Sequence, residues 1–179
     1  MSKHIFKHII VTSVIAVLGV STSFAALVME RDQSVDTAPS VGMYRFEVPV
    51  ELQGTYNSVG VANLIASMEK EPNTLSMTVA HVKGNPSESY VVEIYKDLAA
   101  IEAHRKSDHY QVFVNEVGSK LTNRKMYDVQ SVLLFEKKDA LSIVNDGKAV
   151  VTLTEFTVDS NEIDTVQRQY QLDMERAVR

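Results

Sequence analysis

The stretch that most constrains the fold runs from Tyr90 to Phe113: YVVEIYKDLAAIEAHRKSDHYQVF. Its first six residues alternate, with Val92 and Ile94 on one side and Val91, Glu93 and Tyr95 on the other. That period of two on β-branched and aromatic residues predicts a strand. Asp97 is a good helix N-cap, and Leu98, Ile101 and His104 follow three apart, so they share one helical face. Ser107-Asp108 offers a second cap, after which Tyr110, Phe113, Val114, Val117 and Leu121 continue an apolar stripe. The pattern predicts a strand feeding directly into a helix. His104 lies on the face expected to meet the sheet, and a titratable ring there needs a partner or a task.

The rest of the chain extends this unit. Tyr44 to Leu52 alternates as a strand, with Pro49 arguing for an edge or a bulge because it cannot donate to a ladder. Gln53 to Asn57 is expected to turn. Val61, Leu64, Ile65 and Met68 predict a helix over 59–70 that stops at Pro72-Asn73. Leu75 to Val82 alternates, Gly84-Asn85-Pro86 turns the chain, and Asp128 to Lys137 alternates again. The order is βαββαβ, an α+β ferredoxin-like antiparallel sheet with both helices on one face. Beyond it, a strand over 149–158 and a helix capped by Asp159-Ser160 repeat the opening βα. They read either as an incomplete second unit or as a C-terminal strand-helix extension.

Four segments are therefore expected. Residues 1–25 have Lys3 and Lys7 before an apolar run from Ile9 to Val20 and end in Ser23-Phe24-Ala25, the pattern of a signal peptide cleaved after Ala25. The other reading is an uncleaved anchor, although the run is short for a membrane span. Residues 26–42 are a polar spacer, 43–138 form the main domain, and 149–179 form the strand-helix unit. A periplasmic or secreted location follows from the leader. The chain has no Cys, so neither disulfides nor a lipid-attachment thiol enters. Its net charge is −5, and loss of the leader removes two lysines and no acid, leaving −7. No basic patch points to nucleic acid or an anionic membrane.

Certain spaced residues carry a family resemblance. Glu93-x-Tyr95-x-Asp97, Ala100-x-Glu102-Ala103-His104 and Ser107-Asp108-His109-Tyr110, with the upstream turn Glu71-Pro72-Asn73, resemble the antibiotic biosynthesis monooxygenase family, closest to its quinol monooxygenase branch. The resemblance covers about Tyr44 to Lys137. It implies a dimeric α+β barrel, a homodimer closed through the open sheet face. It also implies oxygenation of a quinol-like or polycyclic aromatic substrate by O2, with no metal and no bound cofactor. Haem-degrading relatives use a helix Trp and a later axial His. This chain has no Trp, and Val114 stands near that place.

Such chemistry needs a base for a phenol in a dry pocket. His104 is the candidate base, or else a core histidine bonded to Glu93 or to backbone. Glu93 is the candidate orienter, its direction left open by the sequence. Tyr95, Tyr110 and Phe113 are candidate substrate contacts or core, and His81 a candidate at a strand end. His109 is expected to face solvent. His81, His104 and His109 have no metal-ligand spacing, and there is no phosphate loop or nucleophile elbow. The alternative function on the same fold is a non-catalytic, or isomerase-like, dimeric module for a small hydrophobic ligand.

Overall fold

The computed structural model describes residues 7–12, 39–127, 129, 131, 133–134 and 151–178. In chain order they form β1 (Lys7–Thr12), β2 (Ser40–Glu47), α1 (Gln53–Lys70), β3 (Thr74–Val82), β4 (Asn85–Tyr95), α2 (Leu98–Lys106), α3 (Asp108–Glu116), β5 (Thr122–Tyr127), β6 (Thr152–Thr157) and α4 (Ile163–Val178). The chain divides into two units, Gln33–Ser131 and Met1–Asp32 together with Val132–Arg179. Among the described residues no helix is long and apolar enough to cross a membrane.

The first unit is the expected βαββαβ arrangement with its second helix split in two. Its sheet has the order β3-β4-β2-β5, and every neighbouring pair is antiparallel. Alternation places Ser89, Val91, Glu93 and Tyr95 of β4 on one face. Val91 packs against the core of Phe46, Val48, Tyr56, Val117 and Leu121, to which Phe113 also contributes, so this face is turned toward the helices. Tyr56 of α1 is central. Its ring meets Phe46 edge-on at 5.7 Å and Phe113 at 6.2 Å, and its hydroxyl lies 2.8 Å from Ser89 Oγ, so the buried phenol has its partner.

Several boundaries differ from expectation. β2 is a central strand, and Pro49 marks its end instead of an edge position. The residue N-caps a single 3-10 turn, Val50–Leu52. That turn leads into α1 at Gln53, so the expected Gln53–Asn57 turn is helical. β2 starts at Ser40, inside the expected spacer, whose remaining residues 26–38 lie outside the described ones. The strand expected over 128–137 falls largely outside the described residues. Residues 129, 131, 133 and 134 carry no strand assignment, and the fourth strand is β5. It pairs with β2 across a register shift at Arg45/Glu47. There Asn123 takes φ 47°, a left-handed conformation that Asn tolerates, and its Nδ2 donates to Glu47 Oε2 at 2.7 Å.

Asp97 caps α2 as expected, its Oδ1 accepting from Ala100 N at 2.8 Å, a bond that stabilises the helix by about 1 kcal/mol. The face of α2 is not as expected. Leu98 is 72% exposed, while Ala100 and His104 are the buried positions. After α3 a 3-10 turn, Gly118–Lys120, returns the chain to the sheet. Gly118 is required there by close approach: an added Cβ would lie 3.1 Å from Phe113 Cε1 and 3.2 Å from Phe113 O. Backbone oxygen cannot give way as a side-chain tip can, so Gly118→Ala is expected to lower stability by about 1–3 kcal/mol, read as an earlier urea midpoint with an unchanged slope.

In the second unit β1 and β6 pair antiparallel, from Lys7 opposite Thr157 to Thr12 opposite Thr152. The sequence places β1 inside the expected leader. Phe156 of β6 stacks on Tyr170 of α4, with centroids 5.5 Å apart and planes 10° apart. Together with Asp159 and Asp173 they line an open groove of about 490 Å³. Among the described residues that line it there is no histidine and no basic side chain.

Candidate functional site

The polar centre of the first unit forms where the C-terminal end of α1 meets α2 and α3. Glu71 is the residue that closes α1. Its N–H bonds Ser67 O at 3.0 Å, and its carboxylate turns inward. Oε2 accepts from Thr74 Oγ1 at 2.5 Å. Oε1 lies 3.0 Å from His104 Nδ1 and 2.6 Å from His109 Nε2. His104 is 2% exposed, and the side chains of Glu71 and His109 are 14% and 16% exposed. One carboxylate thus holds two imidazoles.

The break between α2 and α3 makes this geometry. In an unbroken helix, residues five apart point about 140° from each other. Ser107 instead takes an extended conformation, φ −68° and ψ 147°, and its side chain caps α3 by accepting from Tyr110 N. Its N–H and Oγ both donate to His104 O, at 2.9 and 2.7 Å. The chain turns back, and His109 joins His104 on the same acceptor. The expectation that His109 faces solvent is corrected by this kink.

The hydrogen bonds fix the ring state of His104. An ionised carboxylate only accepts, so Nδ1 carries the proton. Ser67 Oγ lies 3.3 Å from the same nitrogen. It spends its own proton on Asn63 O at 2.9 Å, so it too accepts. That leaves Nε2, which in the neutral ring is a lone pair, fully buried and without a hydrogen-bond partner; Asn63 Oδ1 is orphaned in the same way. Aromatic rings surround the imidazole, with Tyr110 at 4.8 Å and Tyr95 at 5.7 Å between centroids.

Glu93 is not the orienting partner. It accepts from Tyr95 Oη at 2.9 Å and interacts with His104 only through charge. Burial pushes its carboxyl above the ordinary value of 4.5; the nearby His104 and the Tyr95 bond act against that rise. Glu71 behaves oppositely. Burial alone would raise it, but the bonds from Thr74, His104 and His109 outweigh burial and hold it below the ordinary range. Tyr95 is raised far above the usual phenol range, by burial first and then by Glu93, so it is a donor and never a phenolate.

Glu93→Gln is therefore expected to stabilise the fold near neutral pH by about 1 kcal/mol, since the amide keeps the Tyr95 bond and removes a buried charge. A carboxyl whose folded pKa is raised loses stability as pH climbs from its unfolded value through its folded one. The gain should therefore vanish once pH falls below the ordinary 4.5, which urea midpoints across a pH series would read.

The structure thus brings His104, Glu93, Tyr95 and Tyr110 together. His81 and Phe113 lie elsewhere. His81 packs on Tyr56 at 5.8 Å and lies 3.3 Å from Asn57 Oδ1, about four helical turns from Glu71 along α1. Phe113 belongs to the core, touching His104 only through Tyr110 at 6.4 Å. Sequence reasoning missed Glu71 and His109 as partners of His104. The available signal was the Glu71-Pro72-Asn73 turn, where a carboxylate ends a helix just before an inward strand. Among the described residues, Glu71, His104 and His109 are the group able to hold a metal ion, with ligand atoms all within 4.8 Å of one another.

A split βαβ domain with a histidine–carboxylate centre roofed by tyrosines defines the class. Residues 42–116, somewhat less than half of the chain, match the family described as antibiotic biosynthesis monooxygenase. Members of the family are generally small dimeric proteins that bind small molecules. A crystal structure from Bacteroides thetaiotaomicron, provisionally named an antibiotic biosynthesis monooxygenase, is 20% identical with a TM-score of 0.52, covering 59% of this chain and 97% of its own. One from Fusobacterium nucleatum, provisionally named a monooxygenase, is 16% identical with a TM-score of 0.52, covering 76% of this chain and 54% of its own. The likeness in both cases is one of fold. No curated protein matches the chain.

Proposed function

We propose that this chain is an exported, cofactor-independent monooxygenase of a quinol-like or polycyclic aromatic substrate. The observation that carries the reading is the His104 ring, with Nδ1–H tied to Glu71 and a bare, buried Nε2 beside two tyrosine rings. A phenol placed against Nε2 gives up its proton, and the imidazolium that forms lies between Glu71 and the charge of Glu93. The electron-rich anion is then the reductant. One atom of O2 enters the ring and the other leaves as water. Tyr95 and Tyr110 supply aromatic walls, and Tyr110 must swing aside for entry. Labelling with 18O2 tests this: the reading requires one labelled oxygen per product molecule, and product carrying oxygen only from water contradicts it.

The partner is a second copy of the chain. The sheet face opposite the helices carries Val41, Met43, Val92 and Ile94 in register; Met43 is already buried within the chain and the other three are half-buried, so a second sheet would complete the cover of this apolar stripe. Export rests on the leader pattern of residues 1–25. Cleavage after Ala25 would remove β1 and its pairing with β6, so the N-terminus of the mature protein, read by mass spectrometry, tests both.

A second reading, a non-catalytic or isomerase-like module for a small hydrophobic ligand, is favoured by the closeness of Tyr110 to His104. In it Tyr110 seals a structural histidine. Ligand binding without oxygen uptake would select it.

A further inference from the structure

We propose that Glu71, His104 and His109 form a binding site for a divalent first-row cation of the zinc class. Two imidazole nitrogens and one carboxylate oxygen are the donor set that Zn(II) and its neighbours take in three-ligand sites, with a further position left to water. A tetrahedral cation with ligand bonds of about 2.0–2.1 Å sets its ligand atoms about 3.3 Å apart. Glu71 Oε1 already lies 3.0 Å from His104 Nδ1 and 2.6 Å from His109 Nε2. The remaining separation is within 4.8 Å. Occupancy therefore needs the carboxylate oxygen to retreat by about 0.3 Å from His104 and about 0.7 Å from His109, and the two ring nitrogens to approach each other by up to about 1.5 Å.

The supporting contacts suit this use. Thr74 Oγ1 donates to Glu71 Oε2, which also lies 3.2 Å from His104 Nδ1, while Oε1 is directed at both rings; outer-shell donors orient ligating carboxylates in this way. Ser107 Oγ lies 3.0 Å from His109 Nε2 and would face the cation instead. The side chains of Glu71 and His109 retain 14% and 16% exposure, which gives the cation a way in. Residues 33 and 38 positions from Glu71 supply the nitrogens, which is why no sequence spacing betrays the site.

Occupancy has a consequence for the base. A cation on Nδ1 takes the place of its proton, and the neutral ring must then carry its proton on Nε2. A loaded site cannot accept a phenol proton there. This consequence rests on the oxygenase reading above; the binding does not.

The test is calorimetric titration of the untagged full-length chain with Zn(II), alongside Co(II) followed by its visible absorption. One cation per chain and tetrahedral Co(II) bands are expected. Affinity should fall about 100-fold or more in Glu71→Gln and in His109→Ala and stay unchanged in His81→Ala, all variants having the circular dichroism of the wild type. If Glu71→Gln fails to fold, the partly exposed His109 decides alone. No binding, or binding that survives loss of His109, overturns the site. A chain that takes no cation yet oxidises quinol overturns this inference and leaves the oxygenase reading standing.

Discussion

His104→Ala should lower quinol-dependent oxygen uptake by about 10²–10⁴-fold, the range in which a positioned general base contributes. One atom, His104 Nε2, takes the phenol proton in this reading. Nε2 is the unpartnered nitrogen of a ring whose other nitrogen is committed to Glu71, and no neighbouring group replaces it. Tyr95 holds its proton too tightly, and Glu93, although its carboxyl is raised, is bonded to Tyr95 at 2.9 Å. Because His104 is 2% exposed, alanine leaves a void, so His104→Gln, which better preserves volume, should accompany it. Oxygen-electrode rates over a quinol panel, corrected for autoxidation and taken on variants with wild-type circular dichroism, provide the readout. Rates equal to wild type in both would remove His104 from the chemistry.

Glu71→Gln should affect both stability and rate. An amide can donate to His104 Nδ1, which stabilises the tautomer with its proton on Nε2 and leaves no base. The corresponding loss of the orienting carboxylate in a Ser-His-Asp triad lowers turnover by about 10⁴-fold, and a loss of that order is the upper expectation here. Stability should drop by about 2–3 kcal/mol, because two imidazoles and Thr74 lose a charged acceptor. The pH dependence has a definite sign. The Glu71 carboxyl is held below its ordinary 4.5 in the folded chain. Its contribution is therefore complete above that value and is lost as pH falls through the folded pKa. Wild type and variant should differ fully at neutral pH and converge in acid, in contrast to Glu93→Gln, which differs in the opposite direction.

Much of the fold was legible because its elements carry strong periods. The alternation of Tyr90 to Tyr95 and the cap at Asp97 located β4 and α2. β5 escaped notice because Thr122–Tyr127 is a polar edge strand, nearly all exposed, with no apolar alternation to announce it; the apolar run after it drew the assignment instead. The first turns of α1 escaped because Gly54, Asn57 and Ser58 read as a turn, while the 3-10 turn after Pro49 in fact launches the helix. In the site, His104, Glu93, Tyr95 and Tyr110 were visible from a strand end and a helix face. The Glu71 pairing was hidden by its distance along the chain. His109 was misjudged because its place depends on a backbone break at Ser107, which sequence marks only as a cap.

The central claim is that Glu71 holds His104 as a base with a free Nε2, and the most direct test is the 15N spectrum of histidine-labelled protein. In the neutral ring, His104 is predicted to carry its proton on Nδ1 with Nε2 unprotonated, and Glu71→Gln to move the proton to Nε2. A wild-type His104 protonated at Nε2 with Nδ1 bare would contradict it.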